Sequence, residues 1–476
     1  MTSNSRYDGV VVGSGPNGLA AAITLARAGR SVIVLEAADT VGGGARSAEL
    51  TLPGYIHDVC SAIYPLGVSS PFFSQLPLAK HGLEWVNPPA AVAHPLDDGT
   101  AVLLERSVDQ TGQTLGKDQR AYAKLFQPLA EDWPKLAEDI LGPLKLPNHP
   151  LRLARFGLRA VRSARGLAES VFEQEPAQAL FAGLAAHSML PLERPVSAAF
   201  GLVLGATGHA VGWPMPRGGA QQISNALASY LATLGGEIET DRPVESARDL
   251  PESRVTLFDV GPRQLLRIAG ELFPRGYRRK LERYRYGAGA FKIDWALDGP
   301  IPWTAPQCRR AATVHVGGTL AEIAAAEAAA WTTAPTKRPF VLVAQQSLFD
   351  PTRAPPGKHT AWAYCHVPHG SAFDMTERME SQIERFAPGF KDLILARHTM
   401  PPSAFQEYNR NYEGGDINGG VQDFGQMFAR PALRLNPYST PARDVYICSS
   451  STPPGGGVHG MCGYHAASSA LKRSLK

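Results

Sequence analysis

The sequence predicts an α/β fold built around a parallel sheet of the Rossmann type, with a second, mixed sheet and a helical region beside it. Three observations predict this fold. A strand, a glycine-rich turn, a helix and a second strand follow one another between Tyr7 and Glu36. Another strand, glycine turn and helix close the chain. Between them, helical and strand-like patterns alternate, which predicts more than one domain in a chain of 476 residues.

The first glycine turn indicates a dinucleotide ligand. The apolar run Tyr7–Val12 leads into this turn, whose residues are Gly13, Ser14, Gly15, Pro16, Asn17 and Gly18. Glycines there permit a tight turn, a close approach of backbone to a pyrophosphate, and close packing of the helix whose N–H groups face the phosphates. Glu36 ends the second strand at about the separation, near 20 residues, at which an acid accepts the hydroxyls of an adenosine ribose.

A second glycine segment follows Glu36 and indicates which dinucleotide binds. It contains Ala37, Gly43, Gly44, Ala45 and Arg46. The segment resembles the extended fingerprint of FAD-binding oxidoreductases of the amine oxidase and phytoene desaturase superfamily. The resemblance implies that the backbone passes close to the FAD diphosphate and that Arg46 is available to its charge. The alternative for Arg46 is a solvated loop arginine.

The composition argues against several classes of function. Lysine and arginine total 47 against 43 acidic residues, which gives no reason to expect nucleic acid as a partner. The five cysteines form no CxxC pair, so neither a disulfide framework nor a metal site is predicted, and a reducing compartment fits. No signal peptide and no bilayer-spanning apolar run is evident in the sequence. We therefore expect a cytoplasmic protein, either free or peripheral to a membrane.

A basic segment lies within the mostly helical region 118–204. Between Leu151 and Arg165, five arginines recur at steps of three or four, so one continuous helix would gather them on a single face. Such a helix can make a peripheral contact with an anionic membrane surface. It can equally be a surface helix whose apolar face packs on the core. The sequence leaves both interpretations open.

The chain then returns to the first domain and leaves it again. A helix ends at Gly235, and the strand-like Glu237–Thr240 precedes Val244, which we expect near the cofactor. Farther along, apolar and polar residues alternate from Phe291 to Leu297, which predicts a half-buried strand. We expect this region to form a sheet that covers one side of a pocket.

The closing segment carries the most specific resemblance. A strand at residues 444–450 enters a second glycine turn and then a final helix. The motif at 453–467, together with residues 414–417 and the turn at 213–219, resembles the phytoene desaturase-related group. That group includes carotenoid desaturases, carotenoid isomerases, retinol saturase and relatives of pyridine nucleotide-disulfide oxidoreductase domain-containing protein 2. The resemblance covers nearly the whole chain.

The resemblance implies a noncovalent FAD and a long hydrophobic substrate, in many relatives an isoprenoid. It implies a discontinuous Rossmann-type FAD-binding domain at residues 1–75, 215–262 and 436–476. The mixed-sheet and helical substrate domain would take residues 76–214 and 263–435. The first glycine turn, Glu36 and the segment to Arg46 would hold the adenosine and diphosphate. The residues expected at the flavin are Ser450, Gly457, Val458, Gly460 and Met461.

The resemblance therefore implies an FAD-dependent oxidoreductase that acts on carbon–carbon bonds, with oxygen or a quinone as the other redox partner. His459, beside the expected flavin, is the candidate for proton handling, and a histidine merely hydrogen-bonded near a helix start is the alternative. Two rival functions remain, a flavin amine oxidase and a flavin-bearing scaffold with little turnover. The sequence does not name the substrate, the direction of hydrogen transfer or the oligomeric state.

Overall fold

The computed structural model describes residues 7–476. The strands in chain order are β1 (Tyr7–Val12), β2 (Val32–Leu35), β3 (Ser47–Ala48), β4 (His57–Asp58), β5 (Trp85–Val86), β6 (Ala90–Pro95), β7 (Ala101–Glu105), β8 (Met215–Pro216), β9 (Glu237–Glu239), β10 (Ser253–Phe258), β11 (Gly289–Leu297), β12 (Ala311–Val316), β13 (Val341–Ala344), β14 (His359–Val367), β15 (Ile394–Met400) and β16 (Val445–Ile447).

The helices in chain order are α1 (Pro16–Arg27), α2 (Pro65–Val68), α3 (Val108–Gln113), α4 (Gln119–Glu131), α5 (Trp133–Ile140), α6 (Pro150–Ala160), α7 (Ala164–Val171), α8 (Glu175–Ala186), α9 (Ser197–Ala210), α10 (Gln221–Thr233), α11 (Pro262–Ala269), α12 (Arg275–Glu282), α13 (Leu320–Ala329), α14 (Thr376–Glu384), α15 (Pro402–Tyr408), α16 (Phe424–Met427) and α17 (Met461–Arg473).

A five-stranded parallel sheet gathers segments from both ends of the chain. Its strand order is β16-β10-β1-β2-β9. The strands are rich in valine, isoleucine and leucine, as expected of a parallel sheet covered on both faces. On one face α1 packs against α17 so closely that a Cβ at Gly463 would lie 1.8 Å from the Asn17 carbonyl oxygen. The first and last segments of the sequence therefore meet in one layer.

A seven-stranded mixed sheet forms the second layer, in the order β15-β11-β14-β13-β12-β6-β7. The pair β12–β6 is parallel and the remaining pairs are antiparallel. Every residue of β11 is buried, so the prediction of a half-buried strand is wrong. One face of β11 packs on the side chains of α14, and its Lys292 and Asp294 lie on the other face as a buried ion pair. The alternation of apolar and polar residues in β11 therefore reflects two buried faces, one apolar and one that holds an ion pair.

The helices α8 and α9 pack on the second sheet at β6 and β7, α4 to α7 pack on α8 and α9, and the basic segment does not form one helix. α6 ends at Ala160, and α7 begins after Ser163, whose hydroxyl accepts a hydrogen bond from the Gly166 N–H. Arg165 instead pairs with Glu169 and Glu193. The expected single face of five arginines is therefore corrected to two separately oriented groups. None of the described helices is both long enough and apolar enough to cross a bilayer.

Candidate functional site

A cleft of about 780 Å³ lies between the carboxyl ends of the parallel strands and one face of the mixed sheet. Ligands bind at this position in open parallel sheets, since the strands and helix N-termini present backbone groups there. Most of the predicted cofactor residues line the cleft. They are Gly13, Gly15, Pro16, Asn17, Glu36, Ala37, Gly43, Gly44, Ala45, Arg46, Val244, Ser450, Gly457 and Val458. Ser14, Gly18, His459, Gly460 and Met461 lie behind its wall.

The geometry of the first turn requires glycine at two positions. Gly13 has a φ of +98°, a region that side chains with a Cβ rarely adopt. At Gly18, a Cβ would lie 2.0 Å from the Gly13 carbonyl oxygen, so only glycine lets α1 start directly against the turn. Gly15 then caps α1. The N-terminus of this helix opens onto the cleft, where it favours an anion.

The second glycine segment lies against the first. Gly43 has a φ of +54°, and a Cβ there would lie 3.2 Å from the Gly15 Cα. Gly44 lies under the Tyr412 hydroxyl, which a Cβ would approach to 2.1 Å. Both segments leave bare backbone on the cleft wall, which fits the diphosphate of FAD. Val12, Gly13, Gly15, Gly43 and Gly44 would form its cradle.

Glu36 lies on the cleft wall with both carboxylate oxygens already hydrogen-bonded. Oε2 accepts from the Ser14 N–H at 2.8 Å and the Ser14 hydroxyl at 2.6 Å. Oε1 accepts from the Ala38 N–H at 3.0 Å and from Arg46 at 3.1 Å. A carboxylate has about four acceptor positions, so the ribose hydroxyls expected here must share or replace one of these donors. The role of Glu36 in binding the ribose stays a prediction.

Arg46 lines the cleft but is committed to protein groups. Besides Glu36, its guanidinium donates to the Val41 carbonyl at 3.3 Å and to the Thr40 carbonyl at 2.5 Å. The side chain is 9% exposed. These bonds fold residues 40–46 against the first turn. Arg46 therefore holds the cradle in shape. Its protein partners indicate this role and not a direct contact with the diphosphate.

Asp259 is a cleft residue that the sequence reasoning missed. It follows the end of β10, and its Oδ2 accepts the Gly18 N–H at 2.8 Å. Burial, opposed by that hydrogen bond and reinforced by the charge of Glu36, holds the pKa of the Asp259 carboxyl well above its ordinary value. The signal was available, because an acid at the carboxyl end of a parallel strand faces the cofactor crevice.

The second glycine turn contributes to the cleft, whereas His459 does not line it. Gly457 has a φ of +122° and lines the cleft with Val458. The His459 side chain is buried behind them, and its Nδ1 accepts the Met461 N–H at 3.1 Å. Burial lowers the pKa of His459 to about 4. The structure gives its proposed part in proton handling no support, and that role stays a prediction.

The loop after residue 414 closes one side of the cleft. Asp416 accepts hydrogen bonds from the backbone N–H groups of Gly287, Asn418 and Gly420, at 2.7, 2.8 and 3.1 Å. Ile417, Asn418 and Gly419 line the cleft as a result. The part of the closing resemblance carried by residues 414–417 thus corresponds to a loop fixed by one buried carboxylate.

The opposite side of the cleft, here called the sheet wall, consists of neutral side chains. Its members are His187, Leu204, Trp213, Thr313, Leu342, Trp362 and Tyr364. Trp362 and Tyr364 meet edge to face with ring centroids 5.1 Å apart. The Trp213 indole N–H donates to the Thr313 hydroxyl at 3.0 Å. The wall is therefore aromatic and uncharged, in contrast to the side that carries Glu36 and Arg46.

A buried charged cluster lies beside Trp362 and Tyr364 on the same face of the sheet but does not line the cleft. The Lys292 ammonium pairs with Asp294 and lies 6.0 Å from the Trp362 ring centroid. His57 and His398 approach the same carboxylate at 3.6 and 3.7 Å. Burial lowers the pKa of His57 to about 4, which leaves that ring neutral. In the described part of the chain, no group of three or more His, Cys, Asp or Glu residues is arranged to hold a metal.

Comparisons with known proteins agree with this geometry. Residues 11–76 match the family model of the NAD(P)-binding Rossmann-like domain. The chain is 28% identical to mouse pyridine nucleotide-disulfide oxidoreductase domain-containing protein 2, over 97% of this chain and 93% of the relative. Over 143 residues, 30% of this chain, it is 26% identical to a component of the limonene dehydrogenase of Castellaniella defragrans, 26% of which is covered. Wild-type putrescine oxidase bound to putrescine superposes with a TM-score of 0.63 at 18% identity, over 98% of this chain and 100% of that one.

The predicted fold class is confirmed, since this chain has a parallel and a mixed sheet and superposes on the putrescine oxidase structure over 98% of its length. The Rossmann-like family model and the cradle of two glycine segments support FAD as the cofactor and an FAD-dependent oxidoreductase as the class of protein. The relation to phytoene desaturases, the domain boundaries and the individual site roles stay predictions.

Proposed function

We propose that the protein is an FAD-dependent oxidoreductase that adds or removes hydrogen at a carbon–carbon bond of an apolar, isoprenoid-like substrate. The observation that carries this proposal is the sheet wall, which faces the cofactor cradle with neutral side chains. An apolar molecule gains about 25 cal/mol for each Å² buried against such a surface, whereas a charged one loses its hydration. The limited similarity to the limonene dehydrogenase component, a protein named for a terpene, is consistent with this class.

The proposed reaction balances without a metal or a nucleophilic side chain. In desaturation, a hydride leaves one carbon, a proton leaves its neighbour for solvent, and a double bond forms between them. When bound, FAD supplies the two-electron acceptor for the hydride. Oxygen, which would give peroxide, or a quinone, which would give a quinol, would be the final acceptor of the two electrons together with two protons. The chain binds the apolar skeleton on the sheet wall and holds it near the second glycine turn.

A flavin amine oxidase is the second candidate, and the Trp362–Tyr364 pair favours it. An aromatic pair beside the flavin is what an amine oxidase requires, and putrescine oxidase shares the fold. The sheet wall, however, offers no carboxylate to an ammonium group. A flavin-bearing scaffold with little turnover is the third candidate.

Anaerobic reduction of the bound flavin separates these functions. Purified FAD-loaded protein would be mixed with limonene, with a lipid extract, and with putrescine or cyclohexylamine, while the flavin absorbance is followed. We expect limonene or the extract to bleach the flavin and the amines to leave it oxidised. Bleaching by amines alone, with peroxide released in air, would identify an amine oxidase. No bleaching by any of them would leave the scaffold as the function.

A matched pair of variants tests the wall itself. Leu204 is half-buried on α9 and lines the cleft, whereas Leu272 is exposed and lies away from it. Leu204→Gln places an amide against the substrate, so we expect KM for the reactive compound to rise several-fold. Leu272→Gln should leave KM unchanged. Equal KM values for both variants would contradict binding at the sheet wall.

We also propose a peripheral contact with lipid through exposed leucines just before and within the basic segment 151–165. Leu144, Leu146, Leu151 and Leu158 are 73%, 92%, 86% and 77% exposed, an unusual concentration of bare leucine. Lys145 and Arg155 lie among them in sequence and would meet anionic headgroups. A membrane contact would place the cleft near a store of apolar substrate.

A further inference from the structure

His187 is one of the polar members of the neutral sheet wall. It follows the last residue of α8 and lies in the wall with Leu204 and Trp213. Its ring meets the Trp213 ring edge to face, with centroids 6.4 Å apart. Nothing in the function proposed above requires a histidine here. Its hydrogen bonding, however, fixes which ring nitrogen carries the proton.

His187 is hydrogen-bonded to a second, fully buried histidine. The Nε2 atoms of His187 and His315 lie 3.1 Å apart. Burial, and then the nearby His366, lower the pKa of His187 to about 3, and burial with its histidine neighbours lowers the pKa of His315 well below its ordinary value. Both rings are therefore neutral near pH 7. One Nε2 must donate to the other, and each ring carries its single proton on one nitrogen.

The surroundings of His315 decide which ring donates. Its Nδ1 is buried without a hydrogen-bond partner and packs directly on Gly183, where a Cβ would lie 2.6 Å away. A proton on this nitrogen would be a buried N–H with no acceptor and no space, which is the more costly arrangement. His315 therefore carries its proton on Nε2 and donates it to His187. The proton of His187 must then lie on Nδ1.

The Nδ1–H group of His187 has no protein acceptor. Among the described residues none accepts a hydrogen bond from it, and the atom is not sealed from the cleft that His187 lines. Tyr364, which pairs with Leu342 on the neighbouring strand, lies in the same wall, and its hydroxyl has no hydrogen-bond partner among the described residues. Once an apolar ligand displaces water from the cleft, this donor stays hydrogen-bonded only if the ligand brings an acceptor to it.

We infer that the substrate of this protein carries a neutral carbonyl oxygen and that His187 donates the hydrogen bond which orients it. This inference rests on the proposed function and narrows its substrate to apolar ketones or aldehydes. A carboxylate is disfavoured, because no cation is part of the sheet wall and the neighbouring Lys292 is already paired with Asp294. An ammonium group is disfavoured, because His187 presents a donor and has no lone pair left. His315 acts through His187 and is a positioning residue.

Carvone and limonene form a matched pair of probes, because they share one skeleton and differ by the carbonyl. Binding to the FAD-loaded protein would be measured from the perturbation of the flavin spectrum. We expect the wild type to bind carvone roughly tenfold more tightly than limonene, the value of one well-made hydrogen bond. His187→Phe should remove the preference, while His187→Asn, which keeps a donor near the Nδ1 position, should retain part of it. His81→Phe, on the surface, is the control.

A second measurement tests the tautomer without any ligand. Long-range ¹H–¹⁵N spectra of ¹⁵N-histidine-labelled protein distinguish the two neutral forms of each ring. We expect the Nδ1–H form at His187, and loss of that fixed form in His315→Phe. An Nε2–H form at His187, or an unchanged carvone preference in His187→Phe, would overturn the inference. If limonene binds as tightly as carvone, the proposal of an apolar substrate is retained and the inference of a carbonyl group is rejected. If neither binds, both proposals fail.

Discussion

Replacing Arg46 with methionine tests whether the second glycine segment is held in place by one buried cation. Methionine keeps most of the apolar stem and removes the guanidinium. The variant loses the bonds to Glu36, Val41 and Thr40, and it leaves Glu36 with one donor fewer. Removing one partner of a buried ion pair typically costs about 3–5 kcal/mol, so we expect the free energy of unfolding to fall by at least about 3 kcal/mol.

Urea unfolding followed by circular dichroism measures this loss, and FAD retention on a desalting column measures its effect on the cradle. Arg338→Met is the control, since its pair with Glu322 is largely exposed and contributes less than about 1 kcal/mol. A double-mutant cycle with Glu36→Gln should give a coupling of at least about 1 kcal/mol. Equal destabilisation by Arg46→Met and Arg338→Met, or the absence of coupling between Arg46 and Glu36, would refute this role of the Arg46 guanidinium.

Three other predictions follow from the same contacts. FAD affinity should fall as pH rises through the raised pKa of Asp259, because its ionised carboxylate would face the diphosphate, and Asp259→Asn should flatten that slope in calorimetric titrations. Gly18→Ala should lower the free energy of unfolding by roughly 3 kcal/mol and release FAD, as measured by thermal denaturation and by flavin absorbance. Gly276→Ala, which has open space around it, should change neither measurement. Replacing Leu151 and Leu158 with glutamine should abolish flotation with vesicles of anionic phospholipid; equal flotation would contradict the lipid contact.

The local order of strand, turn and helix was predictable because each step depends on near neighbours. Gly13 and Gly18 lie five positions apart, and the clash that excludes a Cβ at Gly18 involves the turn itself. The predicted position of Glu36 on the cleft wall likewise followed from the length of one crossover. Sequence periodicity reports such short-range constraints directly.

The partners of charged residues were not predictable in the same way. Arg46 was expected at the diphosphate, but the segment between it and Glu36 folds back and pairs the two side chains. Asp259 reaches the first turn from a strand far along the chain, so no local pattern links it to Gly18. Loop conformation and sheet order decide both contacts, and neither is encoded in a periodic pattern.

The sheet wall depends on register. Leu342, Tyr364 and Lys292 align across β13, β14 and β11, so residues distant in sequence share one face. A shift of one residue in any of these strands would exchange the face that meets the cleft with the face that meets α14. The prediction that β11 was half-buried failed for this reason, since the Lys292–Asp294 pair made a buried face look solvated.

The distribution of charge in the cleft separates a polar end that suits the FAD diphosphate from an uncharged end that suits the substrate. Glu36, Arg46 and Asp259 lie with the helix N-terminus at one end, where a polar diphosphate replaces hydration with fixed dipoles. The sheet wall at the other end presents aromatic faces, and its open donors are on neutral groups. A molecule with a charged tail would be stabilised only at the cofactor end, which FAD would fill. Selection for an uncharged substrate therefore follows from the arrangement of the cleft once the cofactor is bound, and the Nδ1–H of His187 then decides among the uncharged molecules.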